Sequence, residues 1–170
     1  MTKWRKESDS VWFPDRDQNV VSVSTKELEQ NLCLRSSIAR RVCTHQSTES
    51  TIQEMFVTHA EGTVVLPHKR MHGSESYCML SGNLAIVIFD DSGTFIETVY
   101  LSELELKNKI YLRMEKPMFR GIKCFSDCSF LEVKQGPFIA TDVVWAEWGN
   151  VDTLKQKVEK HAGMSQVSGK

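Results

Sequence analysis

Short apolar runs separated by turn residues fill the middle of the chain, from about residue 53 to residue 134. Eight runs rich in Val, Ile, Phe, Tyr and Leu predict strands over 54–60, 63–66, 75–80, 83–89, 94–101, 109–114, 119–124 and 129–134. The turn 90–93 reads DDSG and favours a hairpin, because Gly accepts positive φ and Asp bonds back to the backbone. Strands this short with no helix between them predict an antiparallel barrel or jelly roll.

The chain before these runs has a helical pattern. Ser24 and Glu27 have the spacing of a capping box, in which each side chain accepts a hydrogen bond from the other's backbone N–H. Leu28 and Leu32 then recur at i, i+4. We expect a helix over about 25–34.

The chain after these runs is rich in aromatic residues and then becomes helical again. Pro and Gly interrupt the segment 136–148, which we expect to wrap over the outside of the barrel. Leu154 and Val158 lie at helical spacing and predict a helix over 151–161 with a C-cap at Ala162-Gly163. Residues 164–170 are expected to be a disordered tail.

Length and composition indicate one domain. The 170 residues are 41% hydrophobic, which is enough for a core without disulfides or a structural metal. We divide the chain into an N-terminal extension (1–52), the barrel (53–135), and a wrap, helix and tail (136–170). The fold class is therefore a β-dominated single domain with a short helix at each end.

Charge and cysteine content narrow the partners and the compartment. With 21 Lys+Arg against 22 Asp+Glu, the chain lacks the basic excess that binding to a phosphate backbone usually needs. Its longest apolar run, 84–89, is far below the roughly 20 residues that span a bilayer. Five irregularly spaced cysteines and an N-terminus without an apolar signal region favour a reducing compartment. We therefore expect a cytoplasmic protein without nucleic-acid or membrane partners.

Polar residues with a distinctive spacing lie in the first half of the barrel. Five residues separate Gly62 from His68, four separate Arg70 from Glu75, and six separate Glu75 from Gly82. Alternation on a strand directs His68 and Arg70 to the same face. The pattern resembles the first motif of the cupin superfamily, whose His-x-His is here His68 and Arg70. Cupins are β-barrel proteins, so the resemblance implies the same fold as the strand pattern.

A narrower resemblance covers most of residues 40–148. The chain looks like WbuC-type cupins over Arg40–His45, Pro67-His68, Glu75-Ser76, Phe89–Gly93, Glu132–Phe138 and Trp148. That family is described as cupin-fold metalloproteins associated with bacterial surface-polysaccharide gene clusters, without a securely established reaction. The resemblance implies a divalent metal ion in the barrel. It also makes Arg40, Arg41 and His45 second-choice ligand-binding groups, because they match the family pattern.

Two arginines disrupt the metal site that the resemblance implies. Arg70 stands at one ligand position of the first motif, and Arg120 stands where the second cupin motif has a histidine. A guanidinium stays protonated and has only donors, so it repels a divalent cation instead of binding it. If Arg70 and Arg120 project into the barrel beside His68 and Glu75, the cavity becomes an anion site.

Two other interpretations remain open at this point. Arg70 and Arg120 can form a closed ionic cluster around Glu75 that holds no ligand. A residual metal site can instead use His68, Glu75 and His72, the last from a Gly-flanked loop.

The leading hypothesis is a small-molecule-binding cupin for an anionic metabolite or sugar derivative, with catalysis undecided. Its alternatives are a metal-dependent enzyme of isomerase or oxygenase type and a structural or dimerisation module. A homodimer fits all three, because many cupins pair through strand edges.

Overall fold

The computed structural model describes residues 2–31, 39–103 and 107–165, and these form a β-rich domain. Its strands are β1 (Trp4–Ser8), β2 (Val11–Pro14), β3 (Arg40–Cys43), β4 (Ile52–His59), β5 (Val64–Arg70), β6 (Glu75–Ser81), β7 (Asn83–Phe89), β8 (Phe95–Ser102), β9 (Tyr111–Met114), β10 (Phe119–Cys124), β11 (Cys128–Gln135) and β12 (Val143–Trp145). The helices are α1 (Thr25–Asn31) and α2 (Val151–Ser165), and a 3₁₀ turn covers Ala140–Asp142.

The strands form two sheets that face each other. One has seven strands in the order β1-β2-β3-β4-β11-β6-β9, and the other has five in the order β12-β5-β10-β7-β8. Neighbouring strands pair antiparallel, except that β2 and β3 are parallel. The predicted antiparallel jelly roll is confirmed.

All eight predicted strands are present, with ends that shift by a few residues. The bounds of β7 and β10 match the prediction. Four strands were not predicted: β1, β2 and β3 in the proposed N-terminal extension, and β12 in the proposed wrap. The first three extend the seven-stranded sheet through β4, and β12 pairs with β5. The wrap therefore contributes a regular strand at its centre.

The two predicted helices are present and begin at the predicted residues, Thr25 and Val151. The capping box of α1 is confirmed, since Ser24 N donates to Glu27 Oε2 at 2.9 Å and Glu27 N donates to Ser24 Oγ at 3.2 Å. The last predicted residues of this helix, 32–34, lie outside the described residues. The predicted stop at Ala162-Gly163 is wrong, because α2 continues to Ser165 and includes the first two residues of the predicted tail. Residues 166–170 of that tail lie outside the described residues.

Two apolar layers stabilise this arrangement. The larger one lies between the sheets and includes Val57, Ile86 and Phe130. The smaller one lies on the outer face of β7 and β10, where Leu154 of α2 packs. A Cβ on Gly121 of β10 would stand 2.5 Å from a methyl carbon of Leu154, so the absent side chain lets the helix approach the sheet. Neither described helix has the length and apolar character to cross a bilayer.

Candidate functional site

A cavity of about 500 Å³ opens between the two sheets. Its wall is mostly apolar and is made by Val11, Phe13, Met55, Val57, Val65, Ile122, Phe130 and Val143. Two further aromatic residues on its lining, Phe138 and Trp145, are 45% and 56% exposed. A cavity of this size, with an apolar wall and a few polar groups, is typical of a small-molecule site.

Strand alternation decides which charged residues reach the cavity. On β5, His68 and Arg70 line it, whereas Lys69 between them forms an ion pair with Asp91 at 2.6 Å. On β3, Arg41 lines the cavity, and Arg40 instead lies over the ring of Trp12 at 5.8 Å. Of the two arginines that the sequence proposed on β3, only Arg41 is therefore placed to bind a ligand there.

Arg120 lies at the inner wall, and each of its three guanidinium nitrogens has a partner. Its Nε is 2.6 Å from Glu75 Oε1, and its Nη2 donates to Glu75 Oε2 at 2.7 Å. Its Nη1 donates to the backbone oxygen of His68 at 2.8 Å, and its Nε also lies 2.9 Å from the Tyr77 hydroxyl. Burial opposes the charge of Arg120, which is 1% exposed, but Tyr77 and Glu75 outweigh that cost and raise its pKa.

Arg70 is separated from this network and binds backbone oxygens at and just beyond the end of β11. Its Nη1 donates to Gln135 O at 2.6 Å, and its Nη2 donates to Pro137 O at 3.1 Å and lies 3.4 Å from Asp142 Oδ2. The predicted cluster of Arg70 and Arg120 around Glu75 does not form. The second cation near Glu75 is Lys134, whose Nζ lies 3.9 Å from Glu75 Oε2.

Arg41 lines the same cavity without a partner. Its guanidinium makes no hydrogen bond or ion pair with any residue that the structure describes. Glu7 and Glu132, the carboxylates on the described lining, are each paired with another cation. Arg5 Nη1 lies 3.0 Å from Glu7 Oε2, and Lys134 Nζ lies 2.8 Å from Glu132 Oε1. Five N–H donors on Arg41 are thus available to a bound molecule.

Glu132 and Lys134 lie two residues apart on β11 and both line the cavity. Burial alone would raise the pKa of Glu132, but Lys134 and then Arg41 lower it to about 2. Glu132 is therefore ionised at neutral pH. Sequence reasoning did not select either residue for the site. The signal was available, because charged residues alternate with apolar ones on this strand and alternation turns one set inward.

Three neutral imidazoles complete the polar lining. His68 Nδ1 lies 2.9 Å from Leu66 O, and its ring is 4.7 Å from that of Trp145. Burial, reinforced by Arg120, lowers the pKa of His68 to about 4. Burial, reinforced by Arg41, likewise lowers the pKa of His59 to about 4. His59 lines the cavity as well, and its Nδ1 has no partner among the described residues.

His45, a second-choice residue in the sequence, also reaches the cavity. Its Nδ1 lies 3.0 Å from Glu54 O and 3.1 Å from Glu54 N, and its ring packs edge-on against Phe13. Burial lowers the pKa of His45. These contacts fix the ring and leave its other nitrogen, Nε2, for the cavity.

The residues proposed for a residual metal site do not fit a metal. His72 is 84% exposed, and its Nδ1 lies 2.8 Å from Asp142 Oδ1. Glu75 is held by Arg120, so a divalent ion there would meet a fixed guanidinium. Over residues 2–31, 39–103 and 107–165, no group of three or more His, Cys, Asp or Glu side chains is arranged to hold a metal ion. His68, Glu75 and His72 are not brought together.

Structural comparison assigns the class to which this fold belongs. A cupin superfamily protein from Desulfitobacterium hafniense aligns with a TM-score of 0.52 at 17% identity, over 71% of this chain and 97% of that one. A protein from Shewanella oneidensis aligns with a TM-score of 0.55 at 14% identity, over 85% of this chain and 96% of that one. The chain has the cupin fold, and at such identities the likeness shows the fold alone.

The family-level comparison is less informative about function. The family model described as "Domain of unknown function (DUF6016)" matches residues 25–101. No characterised protein matches the chain by sequence. The capsular polysaccharide assembling protein CapF from Staphylococcus aureus aligns with a TM-score of 0.52 at 15% identity, over 64% of this chain. This chain spans only 29% of CapF, so the likeness covers a part of that protein.

Proposed function

We propose that this cupin-fold protein binds a small anionic molecule, a metabolite or sugar derivative, inside the barrel. The observation that carries the proposal is Arg41, a guanidinium on the wall of a cavity of about 500 Å³ that makes no hydrogen bond or ion pair with the described residues. Buried and half-buried charges are normally paired, because removing them from water is costly. An anion in the cavity would supply the missing partner.

The chemistry of the cavity supports an anion more than a neutral molecule. Charge-assisted hydrogen bonds from a guanidinium to a carboxylate or phosphate are about twice as strong as neutral ones. The apolar wall lowers the local dielectric and strengthens each of these bonds. Arg70 and Arg120, the first choices from the sequence, contribute fixed positive charge, but protein acceptors already engage both terminal nitrogens of Arg70 and all three guanidinium nitrogens of Arg120. Arg41 is therefore the main contact for the anion.

Three finer assignments belong to the same proposal. The first is a relationship to WbuC-type cupins, which the sequence similarity over residues 40–148 supports. No catalytic residue is proposed. A cytosolic location is supported by the free thiols of Cys43, Cys78, Cys124 and Cys128. A homodimer is supported by the edge strands of both sheets and by the exposed Trp145 on β12. Light scattering at several protein concentrations tests the dimer, and a monomer mass throughout contradicts it.

Thermal unfolding with a panel of anions tests the site. We expect phosphate, sulfate, small carboxylates or nucleotide sugars to include at least one that raises the Tm. A ligand at 100 times its Kd adds about 2.7 kcal/mol to the free energy of unfolding. For a chain of this size that is a rise of roughly 5–10 °C.

Two variants of one strand make this test specific. Arg41→Met removes the guanidinium from the cavity and should abolish the rise in Tm. Arg40→Met removes the guanidinium that lies over Trp12 on the opposite face and should leave the rise unchanged. Stabilisation that survives Arg41→Met, or a panel with no stabilising anion, would refute the proposal.

A further inference from the structure

The polar lining also contains acceptors that have no donor, and these restrict the kind of anion. Two lining residues matter, Glu132 and His68. This restriction on the ligand rests on the proposed function, in which Arg41 binds the anionic group. The acceptors near Arg41 that lack a donor then indicate which other groups the ligand carries.

Glu132 offers a carboxylate oxygen to the cavity. Lys134 Nζ lies 2.8 Å from its Oε1, and no hydrogen bond reaches its Oε2 from the described residues. The residue is 6% exposed, and its carboxylate stays ionised, since Lys134 and Arg41 hold its pKa at about 2 against the effect of burial. An ionised oxygen that faces the cavity from a largely buried residue is an acceptor for an O–H or N–H donor of a bound molecule.

His68 offers a second acceptor. Its Nδ1 lies 2.9 Å from the carbonyl oxygen of Leu66, which can only accept, so Nδ1 carries the proton. The ring is neutral at pH 7, because burial and Arg120 lower its pKa to about 4. Nε2 is therefore a bare acceptor on the cavity wall.

These groups are close enough to act on one molecule. Strand β3 pairs with β4 and β4 pairs with β11, so Arg41 and Glu132 project from one face of the same sheet, two strands apart. Arg41 contributes to the pKa of Glu132, and Glu132 contributes to that of His68. His68 faces them from the opposite sheet.

We infer that the ligand is a hydroxy acid, with its anionic group on Arg41 and hydroxyl groups that donate to Glu132 Oε2 and His68 Nε2. An anion without hydroxyls would displace water from these two acceptors without donating a hydrogen bond to either. A neutral polyol would satisfy the acceptors and leave the guanidinium of Arg41 unpaired. Sites built to bond a substrate hydroxyl discriminate strongly against analogues that lack it.

Three six-carbon probes of the same length test the inference by calorimetric titration: D-gluconate, hexanoate and sorbitol. Gluconate carries both the carboxylate and hydroxyls, hexanoate only the carboxylate, and sorbitol only hydroxyls. We expect the Kd of gluconate to be at least tenfold lower than that of hexanoate. Sorbitol should give no measurable binding.

Two variants locate the hydroxyl contacts. Glu132→Gln removes the ionised acceptor, and His68→Phe keeps a ring beside Trp145 but removes Nε2. Each should bring the Kd values of gluconate and hexanoate to within about threefold of each other. Circular dichroism verifies that each variant is folded, and His68→Phe carries the test if Glu132→Gln does not fold.

The outcomes separate this inference from the proposal beneath it. If hexanoate binds as tightly as gluconate and both lose affinity in Arg41→Met, the hydroxy-acid inference fails and the anion site stands. If the preference for gluconate persists in the folded variants, the two assigned acceptors are wrong and the inference fails. If none of the probes binds in an Arg41-dependent way, the inference is overturned, and failure of the anion panel as well overturns the proposed function.

Discussion

Arg120 and Arg41 line the same cavity, yet their surroundings are opposite. Arg120 is 1% exposed and bonds to Glu75, Tyr77 and the backbone of His68. Arg41 has no hydrogen bond or ion pair within the described part of the chain. The first is a structural cation that joins the two sheets, since β10 lies in one and β6 in the other. The second is available for chemistry with a ligand.

The difference shows that a charged residue inside a barrel is informative only together with its partners. Removing a well-paired buried charge leaves its partner unsatisfied, so the loss is measured as stability. Removing an unpaired charge costs little stability and is measured as binding. Stability and affinity should therefore respond to different arginines of this cavity.

The largest expected effect concerns the paired arginine. Arg120→Met leaves Glu75 buried without its main cation, and we expect the free energy of unfolding to fall by about 3–5 kcal/mol. Arg41→Met, the matched change at the unpaired arginine, should alter it by less than about 1 kcal/mol. Urea denaturation of the three proteins measures both values. Equal losses in the two variants would mean that the comparison is wrong.

The next effect depends on pH and belongs to the Arg41 side. The folded-state pKa of His59, about 4 instead of 6.5, is depressed by burial and by Arg41. Between these values the unfolded chain binds more protons, so stability falls as the pH decreases from about 6.5 to about 4. The contribution of His59 is on the order of 3 kcal/mol. Denaturation at a series of pH values should show it.

Two variants assign that pH dependence. His59→Phe should flatten the dependence by its own share and leave that of His68. Arg41→Met should reduce the share of His59 and keep a part, because burial is the larger cause of the shift. An unchanged profile in His59→Phe would remove this group from the explanation.

The smallest expected effect is the loss of stability when the Tyr77 hydroxyl is removed from the network around Arg120. The Tyr77 hydroxyl lies 2.9 Å from Arg120 Nε and 3.4 Å from Glu75 Oε2, so it is a secondary member of the network. Tyr77→Phe should cost about 0.5–1.5 kcal/mol of unfolding free energy. Its cost should shrink when Arg120 is already Met, since the partners then interact in one network. Strictly additive losses would show that the hydroxyl acts independently of Arg120.

The sequence predicted best those strands in which nearly every residue is buried. Residues 84–89 of β7 are all buried and all apolar, so the bounds of this strand follow closely from the composition. The pattern of β1 is half-buried and exposed, and its residues WRKES have no apolar alternation. Such a strand depends on its pairing with β2 and cannot be recognised from local preference.

Within the site, the sequence predicted which side chains face the cavity better than it predicted their hydrogen-bond partners. Alternation correctly placed His68 and Arg70 on the cavity side of β5. It could not show that Arg70 reaches Gln135 and Pro137, because these partners are about 65 residues away along the chain. For the same reason it could not show that Glu132 and Lys134 line the same cavity as Arg41, since β11 and β3 come from distant parts of the sequence.

The parallel pairing of β2 with β3 has a consequence for how this fold can diversify. Val11 pairs with Arg41 and Trp12 with Val42, so the free arginine is positioned by a segment that precedes the paired strands of the predicted barrel. The Arg120–Glu75 pair, which joins the two sheets, lies within that barrel. A substitution at Arg41 on β3 can thus change the charge of the cavity wall without removing a member of the Arg120–Glu75 pair.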